Sequence, residues 1–354
     1  MSCAIGIDLG GTYIKYGLVD QMGTILYESI KPTYLPGEGP GDRSPNGKPG
    51  VYDNIINTVI ELRELAVAKH LQPEGIGIGV PGIVDAGLVT GCAANLPELE
   101  GMALGTRVEK QLGMPVWVEN DANLMGMAEW KFGAARNLTD AIFLTIGTGI
   151  GGAMVVNGEL YAGYRNRGAE LGHIIVALNG LPCGCGGRGC LEAHASVKAL
   201  IEDYKGCLIE YQKPGGDEPG EDEMGGDKKG GNKTEGDIPE TGITGSLNIP
   251  ETGITGSLII SRYLDDQPAA VTALNRHFDY LGAGIAGLIN IFSPQKLIIG
   301  GGISEAGDFY IGSIRQRAME RAMKETSLYT SIEGAQLGNK AGFMGAAALV
   351  FNCL

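Results

Sequence analysis

Short apolar runs broken by glycine dominate the start of the chain. Residues 4–20 hold two of them on either side of Gly10–Gly11, the pattern of a strand, a turn and a second strand; residues 23–29 have the character of a third. A Pro- and Gly-rich stretch, 32–50, interrupts the pattern, and residues 52–70 then read as a helix. Further on, 75–80 is a short buried strand closed by Pro81–Gly82, 115–118 is another strand, and 121–132 a helix. Strands at 141–146 and 151–156 are joined by glycines, and Asn157-Gly158 is a type I′ hairpin signal. Helical patterns follow at 196–211 and 267–292, then a buried strand at 296–299 ending in Gly300–Gly302, and an Ala-rich helix at 342–351. The series β-β-β-α-β-α occurs early and again after residue 115, which predicts two similar α/β lobes with the ligand site in the cleft between them.

Residues 212–240 break this order. They are charged and Gly-rich with almost no apolar side chains, so they cannot bury a core of their own. Beside them IPETGITGSL at 238–247 recurs at 249–258, and two copies are too few for a solenoid. The segment 212–258 is therefore expected to be a surface insertion between two helices.

The 354 residues suffice for two domains, and 44% apolar content is that of a globular protein. A net charge of −14 argues against nucleic acid or an anionic membrane as partner. The opening MSCAIGIDLGG has no basic leader region, and no apolar run reaches about 18 residues, so a cytoplasmic protein without a membrane span is expected. Glycine is the outlier, with 59 residues clustered after strand-like runs, where a backbone turns tightly or approaches a ligand.

Those glycine turns carry the candidate chemistry. IGIDLGGTYIK (5–15) puts Asp8 at a strand end, then Gly10 and Gly11, then Thr12. Bare amides at such a turn can cradle phosphate oxygens, and Asp8 can hold hydrated Mg²⁺. It is not a Walker loop, since it lacks GKS or GKT and a strand follows; a plain hairpin turn accounts for the same residues. GTGIGG (147–152) satisfies G-x-G-x-x-G, yet a dinucleotide fingerprint requires a helix next, and here a hairpin continues. The NAD reading is rejected in favour of a second phosphate turn. Gly300–Gly302 suits close approach by a nucleoside. In ENDAN (119–123), Asn120 or Asp121 can serve as a helix N-cap; alternatively Asp121 is a general base and Asn120 bonds the substrate.

Seven cysteines include three within GHIIVALNGLPCGCGGRGCLEAH (172–194), and without a secretory signal they point to metal rather than disulfides. Cys183, Cys185 and Cys190 with one histidine make a closed Cys₃His set, which suits structural zinc; spacing does not choose between His173 and His194.

Taken together, ELGH (170–173), CGCGGRGCLE (183–192), ENDAN and the two glycine turns resemble the ROK family of repressors, open reading frames and sugar kinases, over essentially the whole chain except 212–258. The resemblance implies a two-lobed α/β actin-like ATPase domain (the sugar kinase/Hsp70/actin fold) closing over a sugar and MgATP. One lobe is expected at 1–117, completed by a helix at 341–354; the other spans 118–340 and includes the zinc loop 173–190. By the same resemblance Asp8, Gly10, Gly11 and Thr12 form the first phosphate turn, with Lys15 on the same nucleotide side. Thr148 and Gly149 fall in the second turn, and Gly300, Gly301 and Gly302 near the adenosine. Asp121 matches the catalytic base; Gly82, Asn95, Asn120, Glu170, His173 and Glu192 match the sugar side. The fourth zinc ligand becomes His173, whose other nitrogen is aimed at the sugar. A homodimer or homotetramer is also implied.

The activity so implied is γ-phosphoryl transfer from ATP to a sugar hydroxyl, by default the 6-OH of glucose. A free aspartate titrates near 3.9, so Asp121 would chiefly orient the hydroxyl and take its proton late. NLPELEG (95–101) lacks the aromatic often found after NLP, which leaves the sugar open among hexoses and N-acetylhexosamines. A sugar-responsive regulator would need a DNA-binding module ahead of a phosphate turn that starts by residue 8, and the acidic charge suits DNA poorly. A non-catalytic sugar-binding protein is the third reading.

Overall fold

The computed structural model describes residues 1–34, 50–91, 96–211 and 253–354. Asn95, most of the 32–50 loop, and the insertion up to residue 252 lie outside the described residues.

Ser2–Leu9 (β1), Tyr13–Val19 (β2) and Ile25–Pro32 (β3) form an antiparallel meander. Helix Val51–Ala68 (α1) leads to Gln72–Val80 (β4), parallel to β1. The hairpin of Ile83–Asp85 (β5) and Leu88–Gly91 (β6), then helix Leu104–Leu112 (α2), precede Val116–Asn120 (β7), parallel to β4. The first sheet thus has the order β3-β2-β1-β4-β7. It extends to Asn120, a little past the expected lobe boundary at 117, because β7 continues the parallel ladder.

Helix Asp121–Lys131 (α3) leaves the end of β7, and the plan repeats. Ala141–Ile146 (β8), Ile150–Val156 (β9) and Glu159–Leu160 (β10) form a second meander, and Asn157 and Gly158 both take positive φ, as a type I′ turn demands. Helices Leu191–Ala195 (α4), Val197–Tyr211 (α5), Gly256–Leu264 (α6) and Pro268–Phe292 (α7) follow. Lys296–Gly300 (β11) lies parallel to β8. After Asp308–Arg321 (α8) and Lys324–Ser327 (α9), Ser331–Gly334 (β12) lies parallel to β11, and Ala341–Cys353 (α10) ends the chain. The second order, β10-β9-β8-β11-β12, reproduces the first strand for strand.

Both sheets are covered on two faces, which is why β1, β4 and β8 read as near-continuous apolar runs rather than as alternation. The layer between the sheets is α3 and α10. Every residue of α10 from Ala341 to Val350 is buried, so its sequence is apolar all round. It reaches the first sheet through glycine: a Cβ at Gly77 would sit 1.8 Å from the carbonyl oxygen of Ala346. On its other side Gly345 lets α10 meet α3 at the Leu124 carbonyl, which a Cβ there would approach to 1.8 Å. The buried carboxylate of Glu129 on α3 accepts from the amides of Gln336 (2.9 Å) and Leu337 (2.7 Å), and from Ala134 (2.8 Å). It thereby ties the crossing from β12 to α10 onto α3.

The end of the second repeat copy belongs to the core, not to a surface insertion. Thr255 caps α6 by accepting from the Leu258 amide (3.1 Å), and Gly256 is buried in the helix's first turn. Such a cap contributes about 1 kcal/mol. Among the described residues no helix is long and apolar enough to cross a membrane.

Candidate active site

A cavity opens between the sheets. Its lining includes Asp8 and Lys15 from the first sheet, and Thr145, Gly300 and Gly301 from the second. Asp8 and Lys15 are cross-strand partners on β1 and β2. Beyond them the hairpin turns through Gly10, Gly11 and the exposed Thr12, with the Gly10 amide donating to the Tyr13 carbonyl (3.0 Å). The equivalent turn between β8 and β9 is Gly147–Gly149, in which the Gly147 amide donates to the Gly149 carbonyl (2.9 Å) and Thr148 is exposed. Because β9 rather than a helix follows, this turn has hairpin geometry. Gly301 takes φ +95°, and a Cβ there would strike the Ile146 carbonyl at 2.1 Å; Gly302 opens the short turn that follows.

Asp121 is the first residue of α3, at the head of the interlobe layer. Its pKa is raised to about 6, first by burial and then by the negative charge of Asp8, with Glu170 adding to it; the Ala122 amide, donating to Oδ1 at 2.8 Å, acts in the opposite sense. Burial also raises Asp8, against the pull of Lys15. The cleft therefore gathers Asp8, Asp121 and Glu170 within electrostatic reach. Asn120 is the N-cap of α3: its Oδ1 accepts from the Asn123 amide (3.1 Å). Its Nδ2 donates to the carbonyl of Gly82 (2.9 Å), a residue at φ +108° where β4 turns into β5. One N–H and one lone pair of the Asn120 amide remain for a ligand.

Glu170 precedes the short 3₁₀ turn Leu171–His173, and its backbone carbonyl accepts from the His173 amide (3.0 Å). The cysteine loop folds against it. His173 Nδ1 lies 3.5 Å from Cys183 Sγ, Cys185 Sγ lies 3.7 Å from Cys190 Sγ, and the four ligand atoms all fall within 4.8 Å of one another. Zn–S bonds of about 2.3 Å require tetrahedral edges of about 3.8 Å, so the donor set fits that ion. The loop is close-wound: Gly189 takes φ +74°, and a Cβ on it would meet the Ala177 carbonyl at 1.7 Å. His194 stands outside the cluster. Its Nε2 accepts from the Leu181 amide (3.1 Å), and its ring packs on Tyr280 at 4.4 Å, so it braces the loop. Glu192, on α4 just after Cys190, turns one carboxylate oxygen to the Ile150 amide (2.9 Å) and the other toward Cys183 Sγ (3.8 Å).

Three further groups escape sequence reasoning. Glu119 Oε1 accepts from the Asn120 amide (2.8 Å) and Asn123 Nδ2 (3.1 Å), which steadies the head of α3. From the second lobe, Asn166 reaches Glu119 Oε2 (3.4 Å), and Arg165 donates to Asp85 through Nε and pairs through NH2, both at 2.9 Å. Arg165, Asn166 and Ala169 all take left-handed φ without being glycine, strain of a kind that gathers at ligand clamps. ENDAN offered a hint of Glu119; nothing in residue spacing indicated the Asp85–Arg165 pair.

Paired sheets of identical strand order, closing on a cleft with a glycine turn from each, define the actin-like ATPase architecture. The ROK family model matches residues 4–352, and the chain belongs to the ROK family. The glucokinase of Thermotoga maritima is 33% identical over 352 residues, covering 98% of this chain and 96% of its own. A ROK family glucokinase from Streptomyces griseus, solved with glucose and AMPPNP, superposes with a TM-score of 0.71 at 29% identity, covering 99% of each chain. The xylose repressor of Bacillus subtilis is 26% identical over 351 residues, 99% of this chain and 77% of its own. The fold is that of the ROK sugar kinases.

Proposed function

We propose that this chain is an ATP-dependent hexose kinase that transfers the γ-phosphoryl group of ATP to a sugar hydroxyl, the 6-OH of glucose first among them. The observation that carries the reading is the raised carboxyl of Asp121 at the head of α3, within electrostatic reach of Glu170 and of Asp8, which lines the cleft. An aspartate at about 6 is a far better match to a proton acceptor at neutral pH than an ordinary one, and it remains mostly ionised there. Asn120, fixed by its two hydrogen bonds, presents its remaining amide valences to the sugar, with Gly82 behind it. Glu170, Glu192 and the outward nitrogen of His173 bind further hydroxyls; Asn95 is assigned there by resemblance alone. Orientation of this kind accounts for much of a phosphoryl transfer, since the transition state leaves little covalent work to the protein.

On the donor side Gly10, Gly11, Thr12, Thr148 and Gly149 offer amides and hydroxyls to the phosphates, and Lys15 offers a cation. Gly300, Gly301 and Gly302 leave room for the nucleoside. Asp8 would hold Mg²⁺ through its waters, and that ion supplies charge neutralisation of the phosphates when bound. His173, Cys183, Cys185 and Cys190 would hold zinc, which supplies rigidity to a loop with almost no side chains to pack. The protein is read as cytoplasmic from its sequence pattern and as a homodimer or homotetramer from the family resemblance.

The xylose repressor relative favours one alternative, a sugar-responsive regulator. An ATP-consumption assay across a hexose and N-acetylhexosamine panel decides: sugar-dependent turnover, abolished in Asp121→Ala, is expected. Sugar binding with no ATP consumption for any sugar would overturn the kinase reading.

A further inference from the structure

The turn Gly147–Ile150 closes the β8–β9 hairpin, and Gly172 packs on its Ile150 carbonyl, which a Cβ there would meet at 2.0 Å. Its two hydrogen bonds from outside the hairpin come from the segment that leaves the cysteine loop. Cys190, one of the four metal-fitting residues, is also the N-cap of α4. Two residues on, Glu192 Oε2 accepts the Ile150 amide at 2.9 Å, at the far end of the turn. At the near end the Val197 amide, first in α5, donates to the Gly147 carbonyl at 2.9 Å. The turn is thus gripped at both ends by one short stretch of chain. Gly149 shows how close that grip is: a Cβ there would sit 2.5 Å from Glu192 Oε2.

We propose that Glu192 is the positioning residue of this phosphate turn, and that through its carboxylate nucleotide and sugar bind with positive coupling. The proposal rests on the reading of Gly147–Ile150 as a phosphate turn and of Glu192 as a sugar contact. One carboxylate oxygen is engaged by the turn; the other faces the cysteine loop and has capacity for a sugar hydroxyl. A sugar that fixes the carboxylate also fixes the turn, and by linkage a nucleotide that needs the turn ordered favours sugar binding by the same factor.

The test is calorimetric binding of Mg·AMPPNP to the zinc-loaded full chain, with and without saturating glucose. In the unmodified chain glucose tightens AMPPNP about 10-fold. Glu192→Ala weakens AMPPNP about 10-fold even without glucose, and glucose no longer alters it. Gly149→Ala keeps the carboxylate but displaces it, with the same result, and covers the case in which Glu192→Ala fails to fold. The double variant is no worse than either single one, because the added methyl group then has room. Glu192→Gln retains an acceptor for the Ile150 amide and restores AMPPNP binding. Normal AMPPNP affinity in both Glu192→Ala and Gly149→Ala, with weakened glucose, would overturn the proposal. A chain that binds AMPPNP but no sugar would instead overturn the sugar reading, and the glucose-free arm would still judge the turn.

Discussion

The two lobes share a strand order and differ in what holds the turn at the head of each. In the first lobe the β1–β2 turn is secured by its own sheet: Thr33, just past β3, donates its amide to the Thr12 carbonyl (2.9 Å) and its hydroxyl to the Gly10 carbonyl (2.6 Å). In the second lobe the matching β8–β9 turn depends on Glu192 and Val197, which the cysteine loop delivers. The first turn is flanked by the charges Asp8 and Lys15; at the equivalent register the second has Thr145 and Gly151. The same backbone thus serves two ends: one turn is charged and self-supporting, the other neutral and dependent on a remote loop. The glycine turn is a reusable form, and the residues around it decide its chemistry.

The comparison breaks most visibly through the metal site. Chelation, or Cys185→Ser, should lower sugar affinity 10- to 100-fold and loosen the second turn, with the first untouched. Hydrogen exchange would show it: faster exchange at Gly149 and Ile150, unchanged rates at Gly10 and Tyr13. Equal loosening of both turns would remove the distinction.

A smaller effect concerns stability. Asp121 is held at about 6 in the folded chain, above about 3.9 for an unfolded aspartate. Its protonated form favours the fold, a contribution fully present below about pH 4 and lost as pH rises through 6. Asp121→Asn should therefore be more stable than the parent at pH 7, by up to on the order of 3 kcal/mol less what cleft solvent screens, with the gap closing below pH 4. Denaturant melts at the two pH values measure this.

Thr33→Val is the counterpart of the metal experiment. Loss of one hydroxyl bond to Gly10 should cost about 1 kcal/mol of stability and weaken nucleotide binding severalfold without altering zinc content. Smallest is the interlobe clasp. The Arg165 side chain is largely solvated and Arg167 also approaches Asp85 (3.8 Å), so Arg165→Ala should raise the sugar KM only two- to fivefold, and the swap Asp85→Arg with Arg165→Asp should recover part of it.

Much of this arrangement was legible in the sequence because the two lobes are marked by long apolar strands and by glycines at their turns. β8 and α7 fall where their patterns place them, within a residue. α2 was missed because its stripe, Leu104, Val108 and Leu112, spans only nine residues. The bounds of α8 were not legible because its stripe, Tyr310, Ile314 and Ala318, is narrow and set among charged side chains. The grouping of Cys183, Cys185 and Cys190 was legible because these side chains are close in sequence. Spacing left His173 and His194 open, and the fold separates them by giving His194 to the Leu181 amide. The Asp8–Asp121 proximity that raises the candidate base is a property of the interlobe layer, and the grip of Glu192 on Ile150 joins residues 42 apart. Neither is written in any local pattern.

The central claim is that Asp121 receives the proton of a sugar hydroxyl at the meeting of the two lobes. Its most direct test is the pH dependence of glucose 6-phosphate formation, followed by ³¹P NMR, for the parent and Asp121→Asn at matched glucose saturation. The account predicts a parent rate that rises with pH through about 6 and levels above it, and a variant that binds glucose yet has lost about 10²- to 10⁴-fold in rate. Transfer by Asp121→Asn at near-parent rate, with the same inflection near pH 6, would contradict it.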